Sequence, residues 1–517
     1  MRSSRLVAAT LTMALTAACG STVQVGSSST TGTGGGDGLA AGASTGQAGG
    51  GLGSAGGGTT GGAAGSGLAA TSGTTGAATS GGTSGGAASG SDGGSLAGPH
   101  HVTALRVGVI YLKGLDQAYA ALGASSKSTD SHAAYQAVFK EINAHGLAAG
   151  VTLTPTYYAI DASSTQSQAT QIEAACQFFT NDHPSDVVVS YTRGSGSGLP
   201  RCLAAKGIPL VNGFSEANSD DGTFTADPLY FEPSQLSLDA LERLIARHLV
   251  TSHYLDTRWP SAASCAATSQ PRLGVVTFDR PEWRAAYNRS LAPAFKALGH
   301  PVSDVEFIAV SGSTGEQLSQ ASTGAQSAVL KFSSECIDHV VFVSNVALDY
   351  LFMDVAEQQG YRPRYGLSSL EAPPIAMGSL TNAANQLHGA MGPGWSPYSD
   401  VDVADFDATA KAPAAQCIRI LSAAQAAPTD NNSGTLALPA CEGPLFVAAV
   451  VSRWARAGFA GSLVQVANAL GSTYRPVGTY SAALGPQRHY GASAYRAFAF
   501  VDACSCFRYT SGLRPTS

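Results

Sequence analysis

Between residues 105 and 211, short apolar runs alternate with segments in which apolar residues recur three and four positions apart. Short apolar runs bounded by turn residues are typical of buried strands, and the longer spacing is typical of amphipathic helices. The pattern predicts strands and helices in strict alternation. The strands are 105–111, 151–158, 186–190 and 208–211, and the helices are 131–145, 165–180 and 197–206.

A second unit of the same kind follows a long predicted helix at 234–250. Its predicted strands are 272–278, 304–308, 339–343 and 364–367, and its helices are 281–298, 315–334 and 347–359. Strand–helix alternation implies a parallel sheet with helices on both faces, so the fold class is α/β with two doubly wound units. Two such units predict a cleft between two lobes, which is a common place for a small ligand.

The pattern is weaker after residue 375. We expect helices at 403–425 and 442–457 and strands at 474–480 and 497–509. A body that spans residues 100–517 is long enough for two substantial hydrophobic cores.

Composition separates this body from the residues before it. About half of the 61 glycines lie in residues 20–99, which are mainly Gly, Ser, Thr and Ala and contain no Lys or Arg. Such a segment has little apolar surface to bury, so we expect residues 19–99 to form a disordered linker. A flexible chain of this length has a root-mean-square reach of roughly 50 Å.

The N-terminus has the pattern of an export signal. Arg2 and Arg5 precede an apolar run, and small residues lead to Cys19, which indicates a signal peptide over residues 1–18. An ordinary secretory signal is one interpretation. The other is a bacterial lipoprotein signal, which residues 15–19 (LTAAC) resemble, although Thr16 stands where a leucine is usual. In that case Cys19 is lipidated and anchors the protein at the extracellular face of the cell membrane.

The cysteines also favour export. Eight remain after Cys19, and an even number in an exported chain suggests up to four disulfide bonds without fixing how they pair. The alternative is zinc, for which only Cys504 and Cys506 are closely spaced. The eight residues are Cys176, Cys202, Cys265, Cys336, Cys417, Cys441, Cys504 and Cys506.

Charge and motifs exclude several classes of protein. The net charge is −6 and there is no basic stripe, which argues against nucleic-acid binding. Catalytic signatures such as H-E-x-x-H, a Walker loop or a G-x-S-x-G elbow are missing, so we expect neither an enzyme nor a cofactor. The acidic residues Asp400, Asp402, Asp405 and Asp407 could attract Ca²⁺, but a solvated loop at a helix start is the favoured interpretation and no metal is expected.

Five segments, taken in order, resemble the branched-chain amino-acid receptor group of the type I periplasmic binding proteins, which serve ABC transporters. They are 106–110 (RVGVI), 134–146 (AYQAVFKEINAHG), 157–171 (YYAIDASSTQSQATQ), 205–211 (AKGIPLV) and 485–496 (GPQRHYGASAYR). The resemblance implies two lobes joined by three hinge crossings that close on a small solute. It also implies discontinuous lobes, about 102–235 with 375–475 and 236–374 with 476–517. The spacing of Cys176 and Cys202 matches a first-lobe disulfide of that group.

Ligands of doubly wound sheets bind beyond the C-terminal ends of the strands. That rule selects candidate ligand-binding residues on both lobes. Asp279 and Ser195 could instead be helix caps, Trp283 a packing residue and Arg193 a member of a surface ion pair. The candidates are Tyr191, Thr192, Arg193, Ser195, Phe214, Ser215, Glu216, Asp279, Trp283, Ser344, Asn345, Ser368 and Ser369.

These observations favour a lipid-anchored, extracellular solute-binding protein that captures a small polar, amino-acid-like ligand in the interlobe cleft for an ABC importer. The expected partners are the small molecule, an ABC permease and the membrane through the lipid. The alternative is a cell-surface sensor or adhesion module with the same fold and no transport role, which the long linker favours.

Overall fold

The alternating strands and helices of the sequence form two β-sheets in a computed structural model. The structure describes residues 102–114, 117, 130–191, 198–213, 219–265, 270–309, 315–380 and 383–517. These described residues belong to one compact unit. The signal peptide, Cys19 and the linker predicted over 19–99 lie outside the described residues.

The first sheet has five parallel strands in the order β2-β1-β3-β4-β5. Non-consecutive neighbours require helical crossovers, which the amphipathic segments of the sequence supply. The strands are β1 Ala104–Lys113, β2 Thr152–Asp161, β3 Val187–Ser190, β4 Leu210–Asn212 and β5 Tyr230–Phe231, and the helices among them are α1 Ser131–Ala144, α2 Gln168–Gln177, α3 Leu199–Ala204 and α4 Asp221–Ala226.

The second sheet has a parallel centre and an antiparallel edge, in the order β12-β11-β10-β9-β8-β6-β7 with β13 paired to β11. Strands β6 to β10 run parallel, whereas β11 is antiparallel to β10 and to β12. The strands are β6 Leu273–Phe278, β7 Asp304–Ile308, β8 His339–Val343, β9 Arg364–Gly366, β10 Met391–Gly394, β11 Ala494–Val501, β12 Cys506–Tyr509 and β13 Arg514–Pro515.

Helices cover both sheets. A π-helical turn, Tyr287–Leu291, joins α6 to α7. The remaining helices, in chain order, are α5 Leu238–Thr251, α6 Pro281–Ala286, α7 Ala292–Ala297, α8 Gly315–Ser334, α9 Val346–Gln358, α10 Pro373–Ser379, α11 Ala383–Leu387, α12 Pro397–Asp400, α13 Ala408–Lys411, α14 Ala415–Ala423, α15 Asn431–Arg456 and α16 Leu463–Leu470.

Alternation along the strands determines which helices each face of the first sheet contacts. Val107 and Val109 of β1 lie in one core cluster with residues of α1, α14, α15 and α16. Ile110 lies in another cluster with Ile172 of α2 and Leu203 of α3. A Cβ on Gly108 would lie 2.7 Å from the Phe179 ring, so glycine here allows the helix on that face to pack closely.

The chain crosses between the two sheets three times. The first crossing leads from β5 to α5, and the second from β10 to α14, whose Cys417 and Ile420 lie in the first-sheet core. The third crossing leads from α16 back to β11. The fold therefore has the three crossings that the family resemblance implies.

Several predicted elements coincide with the structure and others do not. The bounds of β7, β8 and α8 are those predicted. No strand is present at 474–480, and residues 403–425 form a 3₁₀ turn and two short helices. Strand β10, at 391–394, pairs within the second sheet, although the range 375–475 was expected in the first lobe.

Helix α15 begins eleven residues before the start predicted for it and contains Pro439 and Pro444. It is the one described helix that is long and apolar enough to cross a membrane, but 94% of that apolar window is buried within the fold. In this structure it is a core helix that packs against α1 and α16.

The eight cysteines of the body form four disulfide bonds: Cys176–Cys202, Cys265–Cys336, Cys417–Cys441 and Cys504–Cys506. The first is the pair that the resemblance implies. Because Cys504 and Cys506 are bonded to each other, they are not the zinc ligands of the alternative interpretation. The described residues contain no group of three or more His, Cys, Asp or Glu that could hold a metal ion.

Substitution of Gly392 in β10 tests how closely β9 and β10 pack. A Cβ at this position would overlap the backbone carbonyl of Leu367, and a backbone atom cannot rotate away. We expect Gly392→Ala to lower the free energy of unfolding by about 3 kcal/mol or more. Urea denaturation measures this change. The control is Gly378→Ala in α10, where the added Cβ meets nothing within 4 Å and the stability should stay equal or rise by up to about 1 kcal/mol. Equal stability of the two variants would contradict the close approach.

Candidate functional site

The C-terminal ends of the parallel strands are where the candidate residues were placed. On the first sheet the structure describes one of them, Tyr191, directly after β3. The others predicted on the first sheet lie outside the described residues: Thr192, Arg193, Ser195, Phe214, Ser215 and Glu216.

Tyr191 is buried at the end of β3. It forms a small apolar cluster with Leu436 of α15, against which Leu112 of β1 packs. The ring therefore lies where two strands of the first sheet and the N-terminal part of α15 meet. An aromatic side chain in this position can form an apolar wall at the strand ends.

On the second sheet, four predicted residues lie together at the ends of β8 and β9. All four are buried: Ser344, Asn345, Ser368 and Ser369. The side chain of Asn345 accepts a hydrogen bond from the Leu348 amide and caps α9, and the Ser344 hydroxyl donates to Asp349. These side chains bond to the protein itself, which is the capping role that Ser and Asn commonly have at helix starts.

Glu371 joins the ends of β8 and β9. One carboxyl oxygen accepts from the Ser344 amide at 3.2 Å, and the other accepts from the Ser368 amide at 2.6 Å and the Ser368 hydroxyl at 2.7 Å. Burial raises the pKa of Glu371 to about 8, against the lowering effect of these hydrogen bonds. Glu371 follows β9 in the sequence and is placed at this edge by the same rule as Ser368 and Ser369, but its role in joining the two strand ends was not predicted.

Asp400 binds the third of these serines, Ser369, as Glu371 binds Ser368. The Ser369 hydroxyl donates to Asp400 at 2.5 Å, and the Tyr509 hydroxyl of β12 donates at 3.1 Å. Burial raises the pKa of Asp400 to about 8. The preferred interpretation of this residue as part of a solvated loop was therefore wrong, because the side chain is fully buried.

The other three acids of that cluster are dispersed. The Asp402 side chain accepts from the Ala404 amide, and that of Asp407 from the Ala410 amide, so both cap short helical turns. Asp407 also pairs with Arg496 at 2.8 Å, and Asp405 pairs with Arg508. These three acids therefore have partners within the protein, as helix caps or in ion pairs, and do not converge on a common cation site.

The two candidates after β6 have structural partners. Trp283 is 1% exposed, lies in the second-sheet core and meets the Phe278 ring edge to face at 4.9 Å. In this structure Trp283 packs in the core, which is the alternative to ligand contact given in the sequence analysis. Asp279 is exposed and accepts from Arg284 at 2.5 Å, which lowers the pKa of the carboxyl. Asp279 is not a cap, because α6 begins after Arg280 without a side-chain cap.

The three crossings meet at Gln235. Its backbone carbonyl accepts from the Ala492 amide of the third crossing at 2.8 Å. Its side-chain oxygen accepts from the Trp395 indole of the second crossing at 3.4 Å. Gln235 itself lies in the first crossing, so one buried residue links all three.

Two buried glutamates hold the same junction. The Glu442 carboxylate of α15 accepts from the Tyr474 hydroxyl and from the amides of Val477 and Gly478, at 2.6 to 3.1 Å. In the first crossing, Glu232 accepts from the hydroxyls of Ser219 and Tyr230 at 2.7 and 2.6 Å. Burial raises the pKa of Glu442 and brings that of Glu232 to about 7.

The raised pKa of Asp400 predicts a pH dependence of stability. The folded protein retains a proton up to about pH 8, whereas the unfolded chain releases it near the ordinary value of 3.8. Stability should therefore fall as the pH rises through this window, by up to about 1.4 kcal/mol per pH unit for one such group.

We expect Asp400→Asn, a neutral side chain of similar shape, to flatten the slope of unfolding free energy against pH between pH 5 and pH 7. Urea denaturation at pH 5, 6 and 7 measures the slope. Glu173→Gln, at an exposed position of α2, is the control and should keep the wild-type slope. An unchanged slope in Asp400→Asn would contradict the proton on Asp400.

No protein-family model matches the chain, and no curated protein matches its sequence. Solved structures with the same fold do match. An ABC transporter substrate-binding protein from Aeropyrum pernix has a TM-score of 0.57 at 11% identity, covering 80% of this chain and 96% of its own.

Other matches were solved with ligands, among them the following two. The branched-chain amino acid transporter substrate-binding protein LivJ from Streptococcus pneumoniae, in complex with isoleucine, has a TM-score of 0.53 at 12% identity and covers 80% of this chain and 99% of its own. A solute-binding protein of an ABC transporter from R. palustris, in complex with 4-hydroxybenzoate, has a TM-score of 0.52 at 11% identity, covering 80% and 97%. At these identities the likeness concerns the fold, and the chain has the fold of the type I periplasmic binding proteins.

Proposed function

We propose that this chain is an extracellular solute-binding protein that captures a small polar ligand between its two sheets and delivers it to an ABC importer. The observation behind this proposal is the fold, two α/β sheets linked by three crossings. In such sheets the loops after the strands, together with helix N-termini, bind small ligands. The role proposed is binding without catalysis.

The ligand class that we propose is a small carboxylate, amino-acid-like in the first instance. The ligands named for the two similar structures above, isoleucine and 4-hydroxybenzoate, both have a carboxylate group. An arginine can bind a carboxylate through two parallel hydrogen bonds. Arg193, after β3, is the residue that we propose for this contact, and Glu216 is proposed for an ammonium group.

The loops of the first sheet are proposed to supply most of the polar contacts. On the second sheet the hydroxyls of Ser344, Ser368 and Ser369 already donate to Asp349, Glu371 and Asp400. Binding a ligand through them would require these buried hydrogen bonds to break, which costs free energy. The residues proposed to contact ligand are therefore Tyr191, Thr192, Arg193, Ser195, Phe214, Ser215 and Glu216.

Export and anchoring belong to the same proposal. Residues 1–18 are proposed to direct export, and Cys19 to receive lipid, so that residues 20–99 connect the body to the cell membrane. Mass spectrometry of the protein from its native membrane fraction tests this. A lipid-modified N-terminal Cys19 supports anchoring, and an unmodified mature N-terminus overturns it.

A sensor or adhesion module is the second candidate, and the observation that favours it is the internal bonding of the second-sheet hydroxyls. A protein of this fold that no longer binds a solute can have strand ends whose hydroxyls bond only to the protein itself. Its distinguishing property is the lack of stabilisation by any small solute.

Thermal unfolding with a ligand panel tests the proposed function. A ligand at about one hundred times its dissociation constant stabilises the folded state by about 2.7 kcal/mol. We therefore expect at least one amino acid or aromatic carboxylate to raise the unfolding temperature by several degrees. The lack of any shift across amino acids, aromatic acids, amides and small peptides would overturn the transport proposal and favour the second candidate.

Arg193→Ala tests the proposed carboxylate contact. Loss of a charge-assisted bidentate pair weakens binding by about 10-fold to 100-fold, so the stabilising ligand should bind correspondingly more weakly, by isothermal titration calorimetry. Arg201→Ala is the matched control, because Arg201 is an exposed arginine of α3 in the next helix of the same sheet. Equal affinity of the two variants would exclude Arg193 from the site.

A further inference from the structure

The turn between β11 and β12 contains a disulfide bond between residues only two positions apart, Cys504 and Cys506. Cys506 is the first residue of β12, is 8% exposed and pairs with Val501 of β11. Cys504 lies in the turn and is exposed, as are Asp502 and Ser505. One cysteine of this bond is therefore an exposed turn residue, and the other is held in a strand.

The other three disulfides differ in both respects. Their cysteines are separated by 24 to 71 residues, and each bond has at least one half with 2% exposure or less, Cys176, Cys265 or Cys417. A disulfide stabilises a fold mainly by shortening the free loop of the unfolded chain, so a bond across two positions contributes little. Stabilisation of the fold therefore does not account for Cys504–Cys506.

The turn lies away from the proposed ligand cleft. Because β11 is antiparallel to β10, the end of β11 lies beside the start of β10, and the Phe500 amide donates to the Ala390 carbonyl there. The turn after β11 is consequently at the edge of the sheet opposite the C-terminal ends of the parallel strands. A site here is independent of the proposed solute-binding function.

Electrostatics near the turn permit a thiolate to approach. The acid in the turn, Asp502, would repel an anion, but its carboxylate is paired with Nδ1 of His388 at 2.8 Å. Both side chains are exposed, so water and dissolved salt screen the charge of the acid. Exposed disulfides are in general the more easily reduced and exchanged ones.

We propose that Cys504–Cys506 is a thiol–disulfide exchange site for low-molecular-weight thiols, with Cys504 as the sulfur that is attacked. The thiolate of the small thiol bonds to Sγ of Cys504, the Cys504–Cys506 bond breaks, and Cys506 leaves as a thiolate. A second molecule of the thiol then attacks the sulfur of the first, forms the oxidised small disulfide and releases Cys504 as a thiolate. Two electrons pass from the two thiols to the protein, and the cysteine thiolates take up protons from water.

The hairpin has contacts besides the bond. Strands β11 and β12 pair from Phe498 opposite Tyr509 to Val501 opposite Cys506. The buried Phe507 ring packs against Phe498 and Phe500. The dithiol form should therefore stay folded, which allows the bond to be reduced and re-formed in the native protein.

Incubation of the native full-length chain in glutathione redox buffers at pH 7.5 tests the proposal. Acid quenching, alkylation and peptide mass spectrometry report the state of each cysteine. We expect Cys504–Cys506 to be half-reduced at a reduced-glutathione concentration at least tenfold lower than that needed by any of the other three disulfides. Reduction together with the others, or after them, would overturn the proposal.

Two single variants identify the attacked sulfur. In Cys506→Ser the remaining Cys504 should form a mixed disulfide with oxidised glutathione at least tenfold faster than the remaining Cys506 does in Cys504→Ser. Equal rates, or a faster reaction at Cys506, would overturn the assignment of Cys504. Circular dichroism checks that both variants are folded. If either is not, the mixed disulfide trapped by acid in the wild-type chain decides, because glutathione on Cys506 rather than Cys504 would overturn the assignment.

Discussion

The hydrogen bonds of Gln235 are the contacts on which the arrangement of the two sheets depends. A chain that visits each sheet more than once must cross between them, and each crossing leaves backbone and side-chain polar groups in a buried place. Gln235 accepts from Ala492 of one crossing and from Trp395 of another while belonging to the third. The crossings therefore form one bonded unit rather than three independent linkers, and a hinge motion has to preserve these bonds or exchange them together.

Buried carboxyl groups extend this unit into both sheets. Glu442 binds the third crossing from α15, Glu232 binds Ser219 and Tyr230, and Asp400 connects Ser369 to Tyr509. Burial raises the pKa of each acid, because the charged form loses its hydration. Each of these carboxyl groups accepts hydrogen bonds from at least two donors, so it joins separate segments of the chain. A raised pKa in the folded state means that stability falls as the pH rises toward that pKa.

The sequence prediction was accurate where the local pattern of apolar residues determines an element, and inaccurate where contacts distant in the sequence determine it. The strands 304–308 and 339–343 were predicted with the bounds observed. Strand 339–343 is buried along its whole length, as parallel strands covered by helices are. Strand 304–308 lies at the sheet edge and alternates acids with apolar residues, which is the other strand pattern. Helix α15 was predicted too short because Gly434 and Pro439 usually interrupt helices. Here Gly434 is required, since a Cβ would overlap the Tyr398 ring, and this tertiary contact is invisible in a local pattern. Residues 474–480 have strand-like composition, but their amides bind Glu442 instead of a neighbouring strand.

The candidate site was predictable in position and less so in chemistry. The rule for strand ends located Ser344, Ser368 and Ser369 together, yet the same residue types cap helices and bind ligands equally well. A serine that already donates to a buried acid such as Glu371 is not free to bind a ligand. Which acid lies within hydrogen-bond distance depends on the folded structure and is not visible in the sequence. The opposite case is Cys504–Cys506, whose close spacing left a disulfide and a zinc site as alternatives in the sequence and whose reactivity depends on exposure. Function at either place therefore depends on which polar or reactive atoms the fold leaves without an internal role.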